Sequence, residues 1–571
     1  MQGYAASERG VNMKHRSVGM LGCGAMVVAT LVACGSKPRS GFADETSVNG
    51  TFDDGGMFEG GDGGGGKLVR DPTTCSEAES SRTYVGCDYW PTVTANLVQD
   101  IFDFAVAVAN VGTEDAHVTV TGPNGVSKVV AVAPGSLNKV FLPWVPELKG
   151  PALTGITASV LVKGGAYHLV SDRPVVVYQF NPLEFRAAGG EPGKDWSKCQ
   201  KMSFTAPECY SYTNDASLLL PSTAMTGSYR IMGSYGFSRH PIQEGTTTPD
   251  TSQPLQPGAA TYFVVTATSD GTTVTVKLGP KGKVVAGTGV AATPAGGLLT
   301  LQLNAGDVAE VVSTSGRDFD FSGSLLSATK PVQVITGVPC IDYPLDVVAC
   351  DHVEETVFPA QTLGRHYVVT TPTGPKANKV GHVVRFYGNA DGTTLTYKPS
   401  QPAGCPATLA AGEVVECDLV RSDFEVTGTA EFGVGMFMIG AEQADPDANS
   451  SSFVQPQGDP SQSFSVAVEQ YRTRYVFLAP TDYKTSYVDV IADAKTKLTL
   501  DGKDASSELA AITGTTWFNA RIKLDAGSSD GVHVLASDKP VGIQVMGYGD
   551  NTTYMYPGGL NLGEIAPIPP K

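Results

Sequence analysis

Three stretches decide the reading of this chain: Ser171-Asp172-Arg173-Pro174-Val175-Val176-Val177, Ala328-Thr329-Lys330-Pro331-Val332-Gln333-Val334 and Ser537-Asp538-Lys539-Pro540-Val541-Gly542-Ile543. Each sets a small polar residue, a cation and a proline before a β-branched apolar run. Such runs favour extended backbone. Proline fits the first residue of a strand, where no ladder donor is required. A degenerate copy is Glu431-Phe432-Gly433-Val434-Gly435-Met436-Phe437. Four copies in one chain predict four units, each closed by such a strand.

Around these stretches the apolar period is two. Phe102-Asp103-Phe104-Ala105-Val106-Ala107-Val108, His117-Val118-Thr119-Val120-Thr121 and Thr273-Val274-Thr275-Val276-Lys277-Leu278 alternate, bounded by Gly, Asp-Gly and Pro. That pattern predicts half-buried strands, and helical periodicity is nearly absent. Units are expected to open at Phe104-Ala105-Val106, Tyr262-Phe263-Val264-Val265, Tyr367-Val368-Val369 and Tyr475-Val476-Phe477. The expected fold class is all-β: tandem antiparallel β-sandwich-like repeats of about 100 residues each. A propeller-like arrangement of the same units is the alternative. The expected units run 73–195, 196–349, 350–452 and 453–571.

The N-terminal region reads as export and tethering. Lys14, His15 and Arg16 precede a short apolar run that ends at Leu31-Val32-Ala33-Cys34. The run is too short to span a bilayer comfortably and has the layout of a signal peptide, assigned to residues 1–33. The last four residues resemble the lipobox of bacterial lipoproteins. That resemblance implies lipidation of Cys34, which would lead the mature chain. Several acyl chains on one residue would anchor it stably. Gly35 and Ser36 lack the aspartate that retains some lipoproteins at the inner membrane, so the resemblance leans towards the outer membrane. Residues 34–72, rich in Gly and Asp, bury little and read as a tether with an r.m.s. span of roughly 35 Å.

An exported chain changes the meaning of cysteine. Of ten cysteines, eight fall as close couples: Cys75/Cys87, Cys199/Cys209, Cys340/Cys350 and Cys405/Cys417. Outside the cytosol such couples are usually disulfides. Zinc is the rival, but no CxxC or close Cys/His set occurs. The net charge is −17, and residues 1–33 are net basic, so the remainder is more acidic still. Such a surface repels nucleic acid, and no nucleic-acid partner is expected.

Chemistry is sparse. There is no HExxH, GxSxG elbow, P-loop or strand-linked GxGxxG, and no cofactor or metal is expected. Asp351-His352 with Glu354 and Glu355 is the densest ionisable cluster, read as a solvated loop in preference to an acid–base or metal site. Asp445, Asp447, Asn449 and Ser451 have the alternate-oxygen spacing of a calcium loop. Ser450 stands where that loop needs glycine, and Pro456 where it needs glutamate. Tyr84, Tyr89 and Trp90 could stack on sugars, though core packing is the commoner fate of such rings.

The unit pattern, with its (Ser/Thr)-x-(Lys/Arg)-Pro-Val strands, resembles the IgGFc-binding protein N-terminal domain family. Gly458-Asp459-Pro460-Ser461 through Val468-Glu469-Gln470-Tyr471-Arg472 to Tyr475–Pro480 is similar to bacterial lipoproteins that carry this domain, as is Tyr343-Pro344-Leu345-Asp346 to Glu354. The resemblance covers roughly residues 75–560 and implies an extracellular, β-rich binding or adhesion protein. It implies no immunoglobulin specificity and no ligand-contact residue. The expected function is a membrane-anchored, non-enzymatic module for an extracellular protein or glycan. The alternative is an exported glycosidase-like hydrolase with an unrecognised carboxylate pair, for which many acids here could serve. The binding loops expected are 181–209, with Phe185 and Trp196, and 339–355. Long loops carry function when a scaffold holds their ends.

Overall fold

The computed structural model describes residues 71–200, 209–243, 248–347, 350–446, 456–524 and 531–570. Cys34, the signal and most of the tether lie outside the described residues. The rest is nearly all strand, and every ladder between named strands is antiparallel.

Four units repeat one plan. A first strand (Gly86–Tyr89, Thr226–Arg230, His366–Val369, Arg472–Leu478) leads to a second (Phe104–Asn110, Tyr262–Ala267, His382–Gly388, Thr485–Asp493). A third follows (Ala116–Gly122, Thr272–Lys277, Thr393–Lys398, Leu498–Leu500). Then comes a long strand: His168–Phe180, Leu325–Ile341, the broken pair Phe424–Gly428 and Phe432–Met438, and Val532–Gly549. A short closing strand ends the unit: Ala216–Leu218, Asp351–Thr356, Gln462–Phe464 or Thr552–Pro557.

The proline motif explains how one long strand serves two sheets. In the second unit the third strand pairs up to Val274↔Ala328, and the second strand takes over at Ala267↔Val332. Thr329, Lys330 and Pro331 lie between, where that edge has no ladder partner. The first unit changes sheets between Ser171 and Val175, and the fourth between Ser537 and Gly542. Proline therefore sits at a mid-strand bend. The expectation placed it at a strand start, and the physical requirement, an unneeded N–H, is the same. In the third unit, where no proline stands, the strand is broken outright.

The expected unit openings mix two strand types. Tyr367 and Tyr475 lie in first strands, whereas Phe104 and Tyr262 lie in second strands. Both types read as aromatic followed by β-branched residues, so alternation alone does not distinguish them. The closing strands also pair backwards. Ala216–Leu218 joins the long strand of the first unit, Asp351–Thr356 that of the second and Gln462–Phe464 that of the third.

These closing strands gather the units into a ring. That of the first unit meets those of the second and fourth, and that of the third meets the same two. Residues 66–571 form one compact body, and its largest hydrophobic core draws on all four units, from Tyr84 to Leu562. The two-sheet unit of a sandwich and the cyclic order of a propeller thus occur together. The N- and C-terminal segments complete the ring: Tyr84 donates its N–H to the Leu560 carbonyl (3.2 Å), and Leu562 N–H donates to Arg82 (2.9 Å).

The expected cysteine couples are each bonded, with Cα separations of 5.7 Å (Cys75–Cys87), 6.1 Å (Cys199–Cys209), 5.1 Å (Cys340–Cys350) and 4.4 Å (Cys405–Cys417). All lie within the span a disulfide bridges.

Candidate functional site

Each long strand runs to one end of the ring and returns as a closing strand. The four connections, residues 181–215, 342–350, 439–461 and 550–551, therefore emerge at the same end. Contacts between them follow the ring. Gly440 N–H bonds the Tyr343 carbonyl (2.8 Å), joining the second and third. Asn551 N–H bonds the Pro456 carbonyl (2.9 Å), joining third and fourth. Thr552 Oγ1 bonds Asn214 Oδ1 (3.2 Å), joining fourth and first. The opposite end carries the 3₁₀ turns Ser222–Ala224, Ala360–Thr362 and Val468–Gln470. The C-terminal segment crosses that end, where the Gln361 carbonyl accepts from Ile565 and Ala566. Asp71, the first described residue, pairs there with Arg472 and Arg474.

Both expected binding loops lie at the connection end, but their marked residues differ in exposure. Phe185 is 1% exposed and packs on Tyr483 at 5.4 Å between ring centroids, which corrects its reading as a contact residue. Trp196 is half-buried on Phe102 (5.3 Å), with Lys194 Nζ over its ring at 4.5 Å. One edge of Trp196 lines an open groove of about 500 Å³ with Arg186 and Ser197. The 339–355 stretch is mostly strand, clamped by Cys340–Cys350 around a short turn.

The ionisable cluster at Asp351 to Glu355 is not a solvated loop. Asp351, His352, Glu354 and Glu355 are fully buried on the closing strand, together with Asp215 and Glu310. Alternation fails as a guide here, because a strand inside a ring is buried on both faces. Asp215 holds three units together. Its Oδ1 accepts from Ser461 Oγ (2.6 Å) and its Oδ2 from the backbone N–H of Gln462 (2.9 Å) and Glu354 (3.0 Å). Burial still pushes its carboxyl well above the usual range. Glu354 accepts from Thr94 Oγ1 (2.5 Å), Gln179 Nε2 (2.9 Å), Ser217 Oγ (3.1 Å) and Asn181 Nδ2 (3.1 Å). Burial pushes Glu354 up, but His352 and these donors outweigh it and hold it low. Asp351, Glu355 and Glu310 are raised well above normal by burial. Among the described residues no three His, Cys, Asp or Glu side chains are arranged to hold a metal ion.

Other expected positions resolve as structure. Tyr84 and Tyr89 are fully buried, and Trp90, 8% exposed, stacks on His168 at 4.1 Å. Asp445 Oδ1 meets Lys376 Nζ at 2.6 Å, while Asp447, Asn449 and Ser451 lie outside the described residues.

Against this geometry, a family model described as IgGFc binding protein matches residues 215–547, from the Asp215 junction into the last long strand. The chain belongs to the IgGFc-binding protein family. No curated protein matches it. Among solved structures, the tetra-tandem repeat in the extending region of a large adhesion protein aligns with 83% of this chain and 99% of its own, at 10% identity and a TM-score of 0.08. That likeness is too slight to bear on fold or function. The family is one of binding domains, and among the described residues no helix is long and apolar enough to cross a membrane.

Sequence reasoning missed two sets of residues. One is the axial junction at Asp215, which has no local signal. The other is the shared role of a tyrosine in each unit's first strand, Tyr89, Tyr229, Tyr367 and Tyr475. Their hydroxyls donate to the carbonyls of Val175, Val332, Phe432 and Val541 at 2.5–2.7 Å, the residues at the bend of each long strand. A signal exists: Pro221 to Tyr229, Pro359 to Tyr367 and Ala467 to Tyr475 share one spacing.

Proposed function

We propose that this chain is a cell-envelope lipoprotein, lipidated at Cys34 and held off an outer membrane by residues 34–72. In this reading it binds an extracellular protein or glycan without catalysis. One observation carries the reading: the four connections lie at one end of the ring, and Asp71 enters at the other. A tether from that side would present the connections outward. The axial acids Asp215 and Glu354 are buried and accept hydrogen bonds from neighbouring units, a structural use that supports the non-catalytic reading. Disulfides pin two of the connections, which lowers the entropy lost on binding.

The test compares the full chain with an Arg186→Ala/Trp196→Ala/Ser197→Ala variant, whose three positions line the groove. Both are screened against extracellular glycans and proteins, immunoglobulin Fc among them. The reading expects at least a tenfold loss for the variant and none for Glu564→Ala at the opposite end. Undiminished binding by a folded triple variant would contradict it, as would glycan turnover abolished by one Asp or Glu substitution. Anchoring has its own test: Cys34→Ser should leave an unprocessed precursor that no longer partitions with membranes.

A further inference from the structure

We propose that the Cys75–Cys87 disulfide is a load bypass: it carries tension from the N-terminal segment past the strand that closes the ring. The chain enters at Asp71, passes Cys75 and forms the helix Cys75–Ser81. Residues 82–84 then lie against 560–562, joined by two backbone hydrogen bonds and a bridge between Thr83 and Asn561. Only then does the chain reach Cys87, in the first strand Gly86–Tyr89. The closing contact is small, and beyond the Asp71 ion pairs with Arg472 and Arg474 it is the backbone pairing that a pull from the N-terminal side would reach before the first strand.

The disulfide changes that order. Two routes join Cys75 to Cys87: the polypeptide, 12 residues in sequence, and the bridge, with Cα atoms 5.7 Å apart. Twelve residues extend to roughly 40 Å. An intact disulfide limits the Cα separation to about 7 Å. The polypeptide route therefore stays slack under tension, and residues 76–86 carry none of it. Force arrives at Cys87 instead. That strand is paired with the long strand at Gly86↔Val175, Asp88↔Val170 and Tyr89↔Leu169, and is locked by the Tyr89 hydroxyl on the Val175 carbonyl. Without the bridge the same pull would strip residues 82–84 from the C-terminal segment and undo that part of the joint between the first and last units. The physiological use of this device rests on the tethered reading above, but the device itself does not.

The experiment pulls the full chain between a handle placed within residues 35–70 and one on the exposed Lys281. Tension is applied directly, so the result is independent of lipidation at Cys34 and of any ligand. The oxidised protein is expected to show no extension before the body unfolds. Cys75→Ser/Cys87→Ser is expected to show an added early step of roughly 35 Å, the twelve-residue length less the native separation. Should that variant fail to fold, wild-type protein reduced after folding is expected to show the same step. An early step of that length in the oxidised protein, or its absence from the reduced protein, would overturn the proposal.

Discussion

At the residue scale, buried polar groups with several partners do the joining. Tyr229 is typical: its hydroxyl donates to the Val332 carbonyl (2.7 Å) and accepts from the Thr226 N–H (3.2 Å). Tyr229→Phe strands both backbone groups in a dry interior, which costs about 1–3 kcal/mol. A lowered thermal midpoint, with ligand-free secondary structure intact, is the expected result. Glu184 gives a pH signature. Burial, then the neighbouring Asp103 carboxylate, push it up to about 7, against the opposing pull of Lys194. A carboxyl raised on folding stabilises fully below its unfolded value near 4.3, and that stability is lost as pH rises through about 7. Each pH unit in that window removes at most about 1.4 kcal/mol. Melting curves between pH 5 and 8 should therefore fall less steeply for Glu184→Gln than for wild type; parallel slopes would contradict the assignment. Neither residue was legible in the sequence. A tyrosine at a bend and a carboxylate in a loop look alike until distant carbonyls and charges meet them.

At the element scale, the long strand is the organising piece. It changes sheets at the proline motif, and its inner half lies between two neighbours. Gly337 shows how tightly that half is held: a Cβ there would meet the Tyr262 hydroxyl and the Val353 carbonyl, each at 2.3 Å. Gly337→Ala is expected to destabilise by about 1–3 kcal/mol, as overpacking does, and chemical denaturation reads it directly. The strands themselves were legible, because period-two alternation survives wherever one face meets solvent, as in Ala116–Gly122. Alternation vanishes in Asp351–Thr356, which is buried throughout. There the polar sequence Asp-His-Val-Glu-Glu-Thr reads as a surface loop, and only the ring reveals why acids lie at the centre. The cysteine couples were legible for a simpler reason: their short spacing and the expectation of an exported chain point the same way.

At the scale of the whole molecule, adjacent units are fastened by buried ion pairs and by the terminal segments. Arg385 Nη2 of the third unit meets Asp320 Oδ2 of the second at 2.5 Å; within the third unit its Nε meets Glu416 Oε2 at 3.3 Å, and Tyr235 of the second unit donates to Glu416 Oε1 (3.0 Å). Removing the guanidinium leaves the buried Asp320 carboxylate without its counter-charge, which costs about 3–5 kcal/mol. Arg385→Ala should accordingly lower the midpoint more than any exposed Arg→Ala change, and a calorimetric scan separates the two. The repeated proline motif was visible in the sequence, but not the cyclic order of the strands it marks, because the contacts that close the ring join residues hundreds of positions apart. The account stands or falls on that closure. Hydrogen exchange of the full chain compared with a chain ending at Gly559 tests it most directly. The account predicts that protection at residues 82–86 collapses when residues 560–571 are removed, and that it weakens in the closing strands Ala216–Leu218 and Thr552–Pro557. Unchanged protection at residues 82–86 in the shortened chain would contradict a closed ring.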